Sequence, residues 1–245
     1  MPEPADWPDP VVLLNEGGQA DIVLLCEHAS NHLPLEYRGL GLPSEQLLRH
    51  IAWDIGAAAV TRALSRLLDA PAFLGSYSRL LIDLNRPLNA HDSIPASSEG
   101  LAVPGNTDLD AVEKSRRIAA IFKPFHERVT AHLDERAVVA RPTRLVSIHS
   151  FTPVFFGVSR AWDAGVLFDQ AEAFGADVIA RLRSPSLLID ANVPYKTDRL
   201  GDYAIPIHGD DRGTPAIMIE IRNVLIDGPD RVREWADRLA TALSA

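Results

Sequence analysis

Short unbroken apolar runs set between longer segments of helical spacing constrain this chain most. Asp21–Cys26, Arg144–Ile148 and Ala216–Ile221 are too short for helices and carry β-branched residues without polar alternation, so they read as strands buried on both faces. Weaker strand candidates cover residues 72–84, 165–168 and 187–189. Between them, residues 44–68 read as one long helix with Ser44 as N-cap and a possible break at Trp53–Gly56. Residues 109–139 read as a second helix kinked at Pro124, with further helices over 170–182 and 229–243. This alternation predicts an α/β chain, a three-layer α/β/α arrangement around a mixed, largely parallel central sheet. Eight regular βα units cannot be counted, which argues against a closed barrel. With no repeat or linker, the chain reads as one domain, 1–245, whose Pro-rich residues 1–20 form a leader.

Charge and composition narrow the function. The chain has 245 residues, with 24 basic and 33 acidic side chains and a formal net charge of −9, and it has no basic run suited to phosphate backbones. A nucleic-acid partner is therefore not expected. Cys26 is the single cysteine, which removes internal disulfides and Cys-rich zinc modules. No stretch approaches the roughly 20 apolar residues of a membrane span, and Met1–Pro10 lacks the pattern of a secretory signal. The expectation is a cytoplasmic protein with no membrane partner.

In open α/β sheets ligands sit beyond the carboxyl ends of the strands. That rule selects His28, just after the first buried strand, and His149, at the end of Arg144–Ile148. Asp54 stands at the break in the first helical segment, and Glu220 near the end of the last strong strand. Two histidines and a carboxylate make a three-ligand zinc set with an open position, where Zn2+ lowers the pKa of its water towards about 7. Glu220 would then be the general base. Taken singly, each residue has an ordinary structural role open to it: His28 bonded at a strand end, Asp54 as a helix cap, His149 in a loop, Glu220 paired with Arg222. His126-Glu127 opens like a helical zinc motif, but the i+4 position is Thr130 and His132 lies on another face. His32 stands as a reserve ligand.

The stretch Ser78–Pro87 places Arg79, Asp83, Asn85 and Arg86 around an apolar core, and read as a strand it puts Arg79 and Asp83 on one face. Arginine recognises carboxylates bidentately, so this stretch is a candidate clamp for an anionic amino-acid substrate, or else holds an Arg79–Asp83 ion pair. A P-loop, a dinucleotide fingerprint and a G-x-S-x-G elbow are all absent.

The ordered set Glu27-His28-Ala29-Ser30, Trp53-Asp54-Ile55-Gly56, Ser78-Arg79 through Asn85-Arg86-Pro87, Lys123–His126, Ser147–Ser150, Asn192–Lys196 and Ile219–Asn223 resembles the N-formylglutamate amidohydrolases over about residues 20–228. The resemblance implies a phosphorylase/hydrolase-like α/β fold and a zinc-dependent hydrolase that cuts N-formyl-L-glutamate into formate and glutamate in histidine catabolism. It places the metal ligands on His28, Asp54 and His149, and the catalytic glutamate on Glu220. Substrate contacts fall on Arg79, Asn85 and Arg86, and a later histidine falls on His208. With His126, His208 is a candidate to stabilise the tetrahedral oxyanion. The first motif reads Glu-His-Ala-Ser-Asn-His where many members have a Pro-His-Ser-Gly-like stretch, and the last reads Glu-Ile-Arg-Asn where others have Glu-Ile-Asn. Arg222 would share a sheet face with Glu220 and could recognise a different acyl amino acid. Hydrolysis of another small N-acyl amino acid or peptide, and a non-catalytic binding protein on the same fold, are the alternatives. Oligomeric state is not readable.

Overall fold

In a computed structural model, which describes residues 6–244, the buried runs become the centre of a seven-stranded sheet. In chain order the elements are β1 (Val11–Leu14), β2 (Ile22–Cys26), α1 (Ala57–Leu68), β3 (Ala72–Gly75), β4 (Ser97–Ser98), β5 (Leu101–Ala102), α2 (Ala111–Arg117) and α3 (Lys123–Val138). There follow β6 (Arg144–Phe151), β7 (Val154–Phe155), β8 (Val158–Ser159), β9 (Ala164–Leu167), α4 (Glu172–Leu182), β10 (Ile189–Ala191), β11 (Ala216–Arg222) and α5 (Pro229–Leu243). The main sheet runs β1-β3-β2-β6-β11-β9-β10, while β4-β5 and β7-β8 are separate small hairpins. The pairs among β3, β2, β6 and β11 are parallel, whereas β1 on β3 and β9 on β11 are antiparallel. The sheet is thus mixed and largely parallel, as expected.

Strand parity divides the core. Ile22, Leu24, Val146, Ile148, Ile217 and Ile219 pack towards α1, α4 and α5, together with Leu64, Trp235 and Leu239. Val23, Leu25, Leu145, Ala216 and Met218 face the opposite layer, with Phe122, Phe125 and Val129. The same parity sends Glu27, Ser147, His149 and Glu220 to this second face. The order of strands reverses direction between β2 and β6, and the crevice at their carboxyl ends is where an open α/β sheet binds its ligand.

Several local expectations are corrected. The 44–68 helix begins only at Ala57: residues 46–48 form a single 3-10 turn, and Gly56 enters α1 at φ +84°. A Cβ at Gly56 would lie 2.3 Å from the Ile226 carbonyl, so the chain must turn sharply there. Asp54 is thereby freed from a helical ladder, and its N–H donates to the His28 carbonyl at 2.9 Å. Residues 76–84 are not a strand beyond β3 but a series of turns, with Leu80, Leu81, Ile82 and Leu84 all buried, so the expected facing of Arg79 and Asp83 does not apply. The second helix is continuous but contains a π-helical turn, Ile118–Phe122, directly before Pro124, where the missing N–H interrupts the regular hydrogen-bond ladder without ending the helix. Strand β6 runs on past Ile148 to Phe151, so His149 lies within it, opposite Glu220. The segment expected as a leader contributes β1, paired with β3, while residues 1–5 lie outside the described residues. Among the described residues no helix is long and apolar enough to cross a membrane.

Candidate active site

His28 follows β2, Asp54 is fixed by the turn before α1, and His149 projects from β6. One side-chain atom of each lies within 4.8 Å of the others, and all three residues are buried. The Nδ1 atoms of His28 and His149 stand 3.4 and 2.8 Å from the same oxygen, Asp54 Oδ2. The outer nitrogens point to carboxylates: His28 Nε2 donates to Asp83 Oδ1 at 2.7 Å, and His149 Nε2 to Glu27 Oε2 at 3.0 Å. Carboxylates behind the outer nitrogens fix ring orientation and strengthen the inner nitrogens as donors to a cation, as in carboxylate–histidine–metal arrangements. Sequence reading assigned no such place to Glu27 or Asp83. Glu27 is legible only as the neighbour of His28, and Asp83 only once residues 76–84 are known to fold as turns.

The electrostatics also suit a cation. Glu27, Asp54, Asp83 and Glu220 are all buried, and Arg79 contacts Asp54 at 3.2 Å and Asp83 at 3.1 Å. Burial opposes ionisation of Glu27, but hydrogen bonds from His149 and Ser147 carry it down to about 2. Burial likewise works against Asp54, yet the neighbouring His28 and His149 hold it well below the usual carboxylate range. Desolvation disfavours a charged His149, but the hydrogen bonds to Asp54 and Glu27 outweigh it and raise its pKa. With Nε2 donating to Asp83, His28 Nδ1 presents a lone pair that is buried without a hydrogen-bond partner, which costs about 1–3 kcal/mol unless a donor or a cation meets it. Nitrogen and oxygen donors of this kind fit a divalent transition ion, zinc among them.

Glu220 completes the cluster. Burial raises its pKa, with the Asp54 charge adding to the effect. Its Oε1 accepts the hydroxyl of Tyr195, while Oε2 is buried without a partner. Tyr195 is delivered by the loop after β10, which crosses β9 at Gly165, where any Cβ would overlap the Val193 carbonyl at 1.7 Å. The sequence marked Asn192–Lys196 without giving Tyr195 a role. His28, Asp54, His149, Glu220 and Tyr195 line one cavity of about 310 Å³, together with His50, Arg79, Asn85, Arg86, Phe155 and Arg160.

The remaining candidates behave differently. Arg79 and Arg86 reach the cavity, but each guanidinium is already paired: Arg79 as above, Arg86 with Asp92 at 3.0 Å and Asp202 at 3.6 Å. Asn85 also lines it, yet its amide nitrogen donates to Asp202 and its oxygen accepts from the backbone N–H of Tyr203 and Ala204, so it secures the neighbouring loop. Arg222 turns away from the cavity and donates to the carbonyls of Arg160, Ala161 and Trp162. His126 and His208 do not line the cavity. His126 Nε2 donates to the Leu84 carbonyl and His208 Nε2 to His126 Nδ1, both at 2.9 Å, beside Phe122 and Tyr203. His32 Nε2 bonds the Asp6 carbonyl, so it is not part of the cluster. A wider groove of about 860 Å³ between α1 and α5 holds none of these residues.

Comparison with known proteins adds three findings. The family model for N-formylglutamate amidohydrolase matches residues 20–226. The gene product Atu2144 from Agrobacterium tumefaciens has a crystal structure similar to this one, with TM-score 0.92 and 36% identity, covering 97% of this chain and 96% of that one. An N-formylglutamate amidohydrolase from Ralstonia eutropha JMP134 shares the fold at TM-score 0.73 and 18% identity, covering 97% of this chain and 96% of that one. No curated protein matches.

Proposed function

The chain belongs to the N-formylglutamate amidohydrolase family, and on that premise we propose that it is a zinc-dependent hydrolase cleaving N-formyl-L-glutamate, or a closely related N-acyl amino acid, to formate or the corresponding acid and the free amino acid. The observation that carries this reading is the convergence of His28 Nδ1, His149 Nδ1 and Asp54 Oδ2 beside the unpartnered Oε2 of Glu220 in one cavity. His28, Asp54 and His149 would hold the ion, with Asp83 and Glu27 orienting the two imidazoles. When bound, such an ion supplies Lewis-acid polarisation of the amide carbonyl and acidifies water.

Glu220 is the proton carrier. Its Oε1 is held by Tyr195 while Oε2 is left without a partner, and its raised pKa brings a carboxylate closer to the pH at which it must both accept and release a proton. Oε2 takes a proton from the attacking water as its oxygen bonds to the acyl carbon. The same proton then passes to the amine nitrogen as the C–N bond breaks.

The test is formate release from N-formyl-L-glutamate by protein loaded with Zn2+, beside a chelator-treated sample. Release should vanish with chelator and return with Zn2+. Glu220→Gln should keep its metal while kcat falls about a hundredfold or more. A zinc-replete wild type that releases no formate would move the substrate to another N-acyl amino acid or peptide. Near-normal turnover in Glu220→Gln would remove Glu220 from the proton transfer.

A further inference from the structure

Three arginines face the cavity, and they differ in what they already hold. Arg79 is tied to Asp54 and Asp83, and Arg86 to Asp92, Asp202 and two backbone carbonyls. Arg160 makes no hydrogen bond or ion pair through its guanidinium to any described residue. Its only side-chain contacts of note are with rings: the guanidinium carbon lies 4.5 Å from the centre of Phe155 and 5.8 Å from that of Phe151. Aromatic faces hold a guanidinium in place and leave its in-plane N–H donors free, and those donors match a carboxylate bidentately. A partly buried cation in this state feels the charge of Glu220 across the cavity but has no direct ion-pair partner among the described residues, so its desolvation is only partly compensated.

The backbone around Arg160 is fixed with unusual care for a loop. It leaves the β7–β8 hairpin, its N–H donates to the Pro153 carbonyl at 2.8 Å, and its own carbonyl is one of three that accept from Arg222. Arg222 extends from the end of β11, two residues beyond Glu220, and stands 3.6 Å from Asp163. The strand that carries the proton carrier therefore also anchors the loop that carries the free guanidinium.

We propose that Arg160 is the residue that recognises a carboxylate on the amino-acid half of the substrate, and that Arg222 is a positioning residue that holds Arg160 over the cavity. This rests on the hydrolase reading above and makes the chain selective for anionic N-acyl amino acids. Arg79 and Arg86 then shape the cavity and neutralise its aspartates instead of binding substrate.

Kinetics on the zinc-loaded full chain test this with N-formyl-L-glutamate, its α-carboxamide analogue and N-formyl-L-glutamine. Wild type should disfavour one of the two amidated compounds by about tenfold or more. Arg160→Gln should raise KM for N-formyl-L-glutamate by a similar factor with kcat within about threefold, erase that discrimination, and be partly rescued in Arg160→Lys. Arg222→Gln should raise KM in the wild-type background but add nothing in the Arg160→Gln background, a dependence that simple loss of stability would not produce. Unchanged KM and unchanged discrimination in Arg160→Gln would overturn the proposal, and additive effects of the two substitutions would overturn the positioning role. Calorimetric titration with L-glutamate separates this from the activity. A wild type that binds L-glutamate, with that affinity lost in Arg160→Gln, yet cleaves none of the compounds would overturn the N-formyl substrate alone. One that neither cleaves nor binds would overturn both.

Discussion

Two histidine pairs are buried in this molecule, and they are built on opposite principles. His28 and His149 have carboxylates on their outer nitrogens and share Asp54 between their inner ones, at the carboxyl ends of parallel strands and beside a cavity. His126 and His208 bond each other and a backbone carbonyl, among aromatic rings, with no carboxylate in contact. Burial pushes His126 down to about 3, with the neighbouring His208 adding to the effect, and it pushes His208 down to about 4. The first pair sits in a field that attracts positive charge, and the second is held neutral. The same side chain at similar burial thus stands among carboxylates in one place and among aromatic rings in the other.

Substitutions at the two pairs should break this comparison cleanly. The largest effect is expected from His149→Ala, which should lower zinc affinity by more than a hundredfold and abolish turnover, whereas His208→Gln should keep its zinc. Zinc content after dialysis measures both, and full occupancy in His149→Ala would remove it from the ligand set. Next come the carboxylates behind the rings. Glu27→Gln and Asp83→Asn should each weaken zinc binding by about 10–100-fold while leaving it detectable. Competition with a chromogenic chelator reads this, and unchanged affinity would reduce Glu27 and Asp83 to structural partners.

The smallest effect concerns acid stability and sharpens the second half of the comparison. A histidine whose folded pKa is depressed from 6.5 gives stability that is complete above the unfolded pKa and is lost as pH falls towards the folded value, because the unfolded chain binds the proton first. His208→Gln should therefore reduce the stability lost between about pH 7 and about pH 5.5 by about 1 kcal/mol. Urea unfolding of metal-free protein at the two pH values checks this, and an unchanged pH dependence would mean that the pair is not held neutral.

How far the sequence carried the reading depends on the kind of feature. The buried strands β2, β6 and β11 were legible because a parallel strand covered on both faces must be apolar throughout, and that pattern needs no knowledge of partners. From those strands the carboxyl-end rule reached His28, His149 and Glu220, and the structure brings them to one cavity with Asp54. The break before α1 was visible only as Trp53–Gly56, because helical spacing on either side resembles one helix until Gly56 is seen against Ile226. Residues 76–84 misled for a related reason: the apolar run Leu80–Ile82 reads as a strand in the sequence, but turns, not a strand, bury it.

The sequence by itself determined the layer architecture, the acidic charge balance and a short set of candidate residues for the site, since each follows from local pattern or composition. Only the tertiary structure decided which arginine is free, which histidines face a cavity, and that Glu27 and Asp83 stand behind the imidazoles. Those properties depend on which charges share a buried space. Residues as far apart as Asp54 and His149, or Arg160 and Arg222, meet only once the sheet has formed. Coulombic and hydrogen-bond energies are set by that distance and by the exclusion of water, neither of which is written in the spacing of residues along the chain.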